Sequence, residues 1–408
     1  MTLFKQIPQQ AGALGPSNTL SFQIASRTEF VDIQRSYLQF KLTPTTTASD
    51  ASAVLQNIGA TACFAQIQEQ VCGTSLQFLN RYELYNSTKN AVASASRKAM
   101  IAKTEGYNPT GAGATLYTNV AYDYVVPCPL QTITSAKLVP LALFPGDYLV
   151  QILLNPTSNV FVAPTATQGY TISDVYLCLA LVTPPREMFL NAQNTLNNGG
   201  DVLLPVSICR NFEQNLTSGA QISFNQIIGY YESLDAITIT KRLAADINQG
   251  QIWYPTTWAL DSWYISLDTE RFPRNRSINA EGNVSPVNSL AVSPAQQGSQ
   301  ENLLAVIRPF NTQLDDKTPY SVTPITISTG VSTGVNNGFC YWNFQENSSF
   351  GSGKAVANGQ FVAYLTYNTG RLTTGTTYVN DLYDVFIEYS IILRVTAGGV
   401  SYNSGSYA

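Results

Sequence analysis

The chain contains no histidine among its 408 residues. That absence removes Ser-His-Asp and Cys-His catalysis, and the commonest metal ligand, together. Charge is scarce as well: Asp, Glu, Lys and Arg make up only 12% of the residues, against about 25% in an average soluble protein. The 22 basic and 26 acidic side chains form no basic block, so the electrostatic footprint of direct nucleic-acid binding is missing. No apolar run reaches the ~18–20 residues that span a bilayer. The opening MTLFKQIPQQAGALGPSN lacks the apolar core of a signal peptide. Six cysteines (Cys63, Cys72, Cys128, Cys178, Cys209 and Cys340) contain no C-x-x-C pair. They read as reduced, small hydrophobes of a chain made in a cytosol, and Cys178 and Cys209 lie inside apolar strand patterns.

What fills the gap is Thr, Ser, Asn, Gln and Tyr. A surface of neutral polar groups carries little repulsion and tolerates extensive protein contact. Hydrophobic residues, at 44%, suffice for true cores, and the length predicts two domains or three small ones. Short alternating segments rich in β-branched and aromatic residues dominate both halves. TLSFQIAS, SYLQFKLTPT, AYDYVVPCPL, DYLVQILL and VYLCLALV read as strands in the first half. DVLLPVSICRNF, DAITITKRL, DSWYISLDT, FVAYLTYN and DVFIEYSIILRV do so in the second. Helical signal is thin, with single short helices expected within Lys89–Lys103, Pro185–Asn194 and Arg242–Ile247. Two long loops, residues 86–119 and 271–300, are expected to stand out as exposed surface.

The halves repeat one another. Phe144–Asn155 aligns without a gap on Ala357–Asn368, placing Gly146 on Gly359 and Tyr148 on Phe361. Asp174–Val182 aligns on Asp384–Ile392. A period of about 210 residues is too long for a solenoid or propeller blade and fits two domains of one type in tandem.

No side-chain constellation reads as a catalytic, cofactor or metal site. Asp268 and Glu270 have the spacing of a glycosidase pair but read as a solvated strand end before Arg271. Asp315 and Asp316, ahead of Lys317, read the same way. Gly351–Lys354 resembles the end of a phosphate-binding loop, yet Ser348 replaces its first glycine and Ala355 its hydroxyl residue. Five N-x-S/T triplets, headed by Asn86, Asn215, Asn275, Asn283 and Asn347, arise by chance in so polar a chain. The aromatics of Gly250–Leu267, among them Trp253, Trp258 and Trp263, read as core or subunit interface, with a sugar-stacking platform as the rival.

Several blocks carry a likeness to a known family. EFVDIQRSYLQFKLTPT (Glu29–Thr45), SLQFLNRYELYNS (Ser75–Ser87), KLVPLALFPGDYLVQILL (Lys137–Leu154), SLDAITITKRL (Ser233–Leu243), WYISLDTERFPRNRSI (Trp263–Ile278) and FIEYSIILRVTAGGVSYN (Phe386–Asn403) follow one another in the order of that family's strand blocks. The chain resembles the double jelly-roll major capsid proteins of tailless icosahedral viruses, the adenovirus-, tectivirus- and virophage-like group. The resemblance implies an all-β fold of two tandem eight-stranded jelly rolls with long loops and a few short helices. It divides the chain into an N-terminal arm (1–18), a first roll (19–191), a joint (192–200), a second roll (201–397) and a C-terminal tail (398–408). It further implies a structural protein with no enzymatic activity, which forms pseudo-hexagonal homotrimers and builds an icosahedral shell. Implied partners are neighbouring capsomers, penton and minor capsid proteins, and an internal viral membrane reached through the base and the arm. No cofactor and no direct nucleic-acid contact are implied, and the location is the virion after synthesis in the host cytoplasm. The alternative is a tandem jelly-roll carbohydrate-binding adhesin or lectin.

Overall fold

The computed structural model describes residues 2–25, 28–46, 52–91, 95–108, 113–130, 133–134, 138–162, 164–216, 221–227, 231–242, 260–274, 278–279, 339–344, 353–356, 359–367 and 381–402. Two jelly rolls follow one another along the chain, as expected. In the first half the strands are β1 (Thr2–Gln6), β2 (Thr19–Ile24), β3 (Phe30–Thr46), β4 (Ser52–Val54), β5 (Phe64–Val71) and β6 (Thr74–Asn80). They continue with β7 (Thr115–Tyr117), β8 (Tyr122–Pro127), β9 (Ile133–Thr134), β10 (Leu138–Val139), β11 (Tyr148–Leu154) and β12 (Gln168–Val182). One sheet runs β1–β12–β3, with β8 and β10 both on the far edge of β3; the facing sheet runs β2–β11–β5–β6. All of these pairings are antiparallel.

The second half repeats this order with β13 (Val202–Leu216), β14 (Gln221–Ile227), β15 (Tyr231–Arg242), β16 (Leu260–Leu267), β17 (Glu270–Phe272) and β18 (Ile278–Asn279). It closes with β19 (Phe339–Asn343), β20 (Lys354–Val356), β21 (Gln360–Tyr367), β22 (Asp381–Thr396) and β23 (Gly399–Tyr402). Its sheets run β13–β22–β15–β19 and β14–β21–β16–β17. Strand for strand, β13, β14, β15, β16, β17, β19, β21 and β22 stand where β1, β2, β3, β5, β6, β8, β11 and β12 stand in the first roll.

Period-two patterning explains why these segments form strands. β3 buries Ser36, Leu38, Phe40 and Leu42 and leaves Tyr37, Gln39 and Lys41 partly open. β11 buries Tyr148, Val150, Ile152 and Leu154. Between the sheets of the first roll, the Phe40 and Phe64 rings meet edge to face at 5.3 Å. In the second roll, Trp263, Ile265 and Leu267 of β16 and Phe361, Ala363 and Leu365 of β21 are all buried in phase. Tyr148 and Phe361 thus begin equivalent strands facing inward.

The ladders fix the repeat more tightly than burial does. In the first roll the β3–β12 ladder slips once between Ser173 and Tyr176, runs in register to Tyr37↔Cys178 and slips again, resuming at Asp32↔Ala180. In the second, β15–β22 is regular to Ala236↔Glu388 and then slips, resuming at Leu234↔Tyr389. Cys178 and Glu388 are 210 residues apart, so both halves carry a bulge at one register. A polar side chain from the bulge holds the partner strand each time. Ser36 Oγ accepts the Ala180 N–H at 2.9 Å, and Asp235 Oδ2 accepts the Ser390 hydroxyl at 2.5 Å.

Three expectations are corrected. The polar segment 1–18 is not a free arm: β1 pairs with β12 from Thr2↔Leu181 to Gln6↔Leu177, and Leu14 bridges Ile172. Its backbone groups gain a ladder that its few apolar side chains do not advertise. The tail likewise contributes β23, hairpinned onto β22. The region 86–119 is not an exposed loop. It carries the second half of α1 (Tyr82–Ala91), α2 (Ala95–Glu105) and β7, and buries Asn90, Ile101, Tyr107 and Leu116. The helix expected over Pro185–Asn194 is α4 (Arg186–Asn197), after the single-turn α3 (Thr157–Val160). The helix expected at Arg242–Ile247 lies, beyond Arg242, outside the described residues, and so does most of 271–300.

Helix α2 is seated by its C-terminal end. Glu105 is buried there and accepts the Thr61 hydroxyl at 2.6 Å, while Asn86 of α1 reaches the same hydroxyl at 3.5 Å. Below lies Gly59 at φ +74°, where a Cβ would stand 2.1 Å from the Glu105 carbonyl oxygen. Burial pushes the Glu105 carboxyl up to about 7, against an opposing pull from the Thr61 hydroxyl and from Arg97. Tyr82 and Tyr107 are the other ionisable groups that feel it. Below pH 4.5, the carboxyl's ordinary value, both states are protonated and the seat contributes fully. Between that value and about 7 the unfolded chain ionises first, so stability falls as pH rises. Thermal melts from pH 4 to pH 8 are therefore expected to lose stability over that window, and Glu105→Gln to flatten the loss.

Candidate functional site

The best-defined functional geometry is the junction where the first roll meets the second. Its elements are β6, the helix α1 that follows it, and β9, all from the first roll, against β13 and β22 of the second. β9 adds to the outer edge of β13, pairing Ile133 with Ser207 and Thr134 with Val206. Beyond that short ladder, Gln77 of β6 takes over. Its side-chain amide donates to the Cys209 carbonyl and accepts the Cys209 N–H at 3.1 Å. A buried amide side chain thereby imitates a strand for one residue. Further along, Arg81 Nε lies 3.3 Å from Glu213 Oε2.

The outer face of the β13–β22 pair is covered at the same place. Tyr85 of α1 packs at a tilt on Phe386, ring centres 5.4 Å apart, and donates its hydroxyl to Glu388 Oε1 at 2.6 Å. Lys89, one turn on, places Nζ 4.0 Å from the Tyr85 ring centre and 3.9 Å from that same carboxylate oxygen. Burial, then the Glu388 charge, holds the Tyr85 phenol well above its ordinary value. Cys209 opposite is raised by burial too, so neither group ionises near neutral pH. The β23 hairpin closes the rim: Thr74 Oγ1 donates to the Val400 carbonyl and Tyr402 Oη to the Ser75 carbonyl, each at 3.0 Å.

The residues singled out in the sequence fall elsewhere. Asp268 sits at φ +52° in the β16–β17 turn, and its Oδ1 accepts the Gln360 N–H at 3.1 Å. Glu270 pairs with Lys354 at 2.8 Å and Arg274 at 3.7 Å, which holds its carboxyl below the ordinary range. Asp268 thus holds the start of β21, and Glu270 is paired with two cations. Asp315 and Asp316 lie outside the described residues. In GSGK, Gly353 packs on the β15 bulge, where a Cβ would meet the Leu234 carbonyl oxygen at 2.3 Å. Lys354 then opens strand β20, not a helix that could receive phosphate. Trp263 is core; Trp253 and Trp258 lie outside the described residues, as do Asn275, Asn283 and Asn347. Asn86 is buried in α1, whereas Asn215 is exposed. Cys63, Cys128, Cys178 and Cys209 are buried free thiols, Cys72 is an exposed one, and the Cys340 side chain lies outside the description. Among the described residues no cluster of His, Cys, Asp and Glu could hold a metal ion. No helix there is long and apolar enough to cross a membrane.

Gln77, Tyr85 and Glu388 carried no sequence signal. Each is a polar residue in a strand or helix, and only the docking of the two rolls gives it a partner.

Two eight-stranded jelly rolls joined along a strand edge define the double jelly-roll fold. Solved structures share it over nearly the whole chain. The PBCV-1 protein VP54, in a crystal structure fitted into a reconstruction of the virophage Sputnik, superposes with a TM-score of 0.59 at 10% identity, covering 99% of this chain and 96% of that one. The Faustovirus major capsid protein gives 0.59 at 10% identity, with 97% and 90% covered. A cryo-EM structure of the Sputnik virophage gives 0.56 at 10% identity, with 100% and 89% covered. No family model and no curated protein sequence matches the chain.

Removing the Gln77 amide strands two buried backbone groups, at about 1–3 kcal/mol for each unsatisfied group. Gln77→Leu is expected to lower stability by a few kcal/mol at about that rate, read as a drop in urea midpoint. Arg81→Ala breaks the part-exposed pair with Glu213 and also removes the guanidinium 3.8 Å from the buried Glu83 carboxylate, so it is expected to cost more than the ~1 kcal/mol of a surface pair.

Proposed function

We propose that this chain is the major capsid protein of an icosahedral virus. The observation that carries the reading is the junction of the two rolls. Strand-edge pairing, the Gln77 amide and the Tyr85–Glu388–Lys89 group fix two similar β domains in one orientation. A rigid pair of like domains offers neighbours near-equivalent surfaces, which closed symmetric assembly requires. The fold shared with the Faustovirus major capsid protein supports the same reading, and so does the sparse charge of the surface.

On this reading the chain divides into a first roll and a second roll at the joint 192–200. Three copies form a pseudo-hexagonal block, which meets further capsomers, penton and minor capsid proteins, and a membrane where the virus has one. The chain does no chemistry and holds no cofactor, and it resides in the virion shell after synthesis in the host cytoplasm. The lectin alternative loses Trp263 from its aromatic platform, because that ring lies in the core.

Purified protein examined by native mass spectrometry and negative-stain microscopy is expected to show trimers of pseudo-hexagonal outline. A monomer at every concentration tested would overturn the reading.

A further inference from the structure

We propose that the outward face of the β14–β21–β16–β17 sheet holds a sugar-binding site, in which a pyranose ring stacks on Tyr364 and meets the hydroxyls around it. The inference adds a binding activity to the capsid reading and does not depend on it.

Strand register builds the site. Tyr364 of β21 pairs with Tyr264 of β16 on one side and with Ser223 of β14 on the other. All three share the outward face, because the alternate residues Trp263, Ile265, Ala363 and Leu365 are buried. The two tyrosine rings stack with centres 4.5 Å apart and planes 17° apart. From β17, the Arg271 guanidinium lies 3.9 Å from the centre of the Tyr264 ring. Across the sheet the order is therefore guanidinium, Tyr264, Tyr364 and then Ser223, an exposed side chain too short to cover a ring. Tyr264 is sandwiched. Tyr364 is covered on one face only among the described residues, and it is 36% exposed.

The first roll has no such stack. Its equivalent places hold Gln151, Gln68 and Ser21. There the chain's own segment closes the strand edge: the Gln9 N–H donates to the Ser21 carbonyl and Gln10 Oε1 accepts the Ser21 N–H, each at 2.8 Å. Ser21 is buried, whereas Ser223 is exposed. A jelly roll thus forms without an aromatic pair at this position, and the pair in the second roll is not a requirement of the fold.

The surroundings select the ligand. Ser262, Ser266 and Thr366 lie on the same face as the stack. Their hydroxyls, those of the two tyrosines and that of Ser223 have no hydrogen-bond partner among the described residues. The charge in the row is the Arg271 cation, and Glu270, next along β17, is already paired with Lys354 and Arg274. A cationic ligand therefore meets repulsion and no unpaired carboxylate there. A polyhydroxy ring suits both features. Its C–H face packs on the open face of Tyr364, and its hydroxyls exchange hydrogen bonds with the serine, threonine and tyrosine hydroxyls.

The test is saturation-transfer NMR on the purified protein with methyl β-galactoside, methyl β-glucoside and methyl β-N-acetylglucosaminide, and with methylguanidinium as the cationic probe. Tyr364→Ala removes the open ring and Tyr364→Phe keeps it. Ser223→Arg, at an exposed position, lays a guanidinium on Tyr364 as Arg271 lies on Tyr264. Circular-dichroism melts report whether each variant folds, and Ser223→Arg carries the test if Tyr364→Ala does not. The expected result is transfer to the ring C–H protons of at least one sugar. Tyr364→Ala and Ser223→Arg are expected to weaken that binding about tenfold or more, and Tyr364→Phe to keep most of it. Transfer to no sugar, transfer to methylguanidinium alone, or sugar transfer that survives either weakening variant overturns the site. Each of those outcomes leaves the capsid reading standing.

Discussion

The outer edge of β13 is the constraint on which the rest of the molecule turns. Fifteen residues pair with β22 along one side, which leaves alternate N–H and C=O groups of β13 pointing away from the sheet. An edge of that length must be covered or it recruits another strand. The first roll covers it with β9, then with the Gln77 amide, then with Arg81 against Glu213. Hydrogen bonds are directional in a way that apolar packing is not. Meeting several of them in sequence along one strand fixes both the distance and the rotation between the rolls.

The face beside that edge is polar for a related reason. Tyr85, Lys89 and Glu388 form a ring–charge–carboxylate group, and Asp235 receives the hydroxyls of Ser233 and Ser390 close by. Such groups add little net stability compared with apolar residues of the same shape, and a misplaced partner costs a great deal. Their effect is to make one arrangement of the rolls much better than its near alternatives. Helix α1 carries this group, and α2 is seated behind it through Glu105 and Thr61. The insertion between β6 and β8 is therefore the brace of the junction.

Alternation makes the strands legible in the sequence, because inward and outward faces differ in polarity along β3, β11, β16 and β21. The duplication was legible in β11 against β21 and β12 against β22, whose buried faces run in phase. Much else was hidden. The segment 1–18 looks like a polar arm because an edge strand can be held by its backbone alone. The region 86–119 looks like a loop because its helices have mixed surfaces, one part against the first roll and another against the second. Gln77 is one glutamine among many; its importance lies in the geometry of another strand's backbone.

The paired positions also show where two copies of one domain had room to diverge. The inward faces keep their character: Tyr148 and Phe361, Leu177 and Ile387, Leu179 and Tyr389 are all buried. Gly146 and Gly359 coincide in sequence yet meet different needs, a close approach to the Cys72 sulfur in one case and φ +69° in the other. Asp174 sits in an exposed bulge, paired to Lys41 at 2.7 Å, whereas Asp384 is wholly buried. Cys178 faces Glu388 across the repeat, and it is Glu388 that meets Tyr85 and Lys89. The side chains that changed lie on the outward faces, and among the described residues only the second roll's is covered by the other roll. A duplicated domain keeps its core because both copies solve the same packing problem. Its outward residues part company because, among the described residues, one copy's face is capped by its twin and the other's meets no such cap.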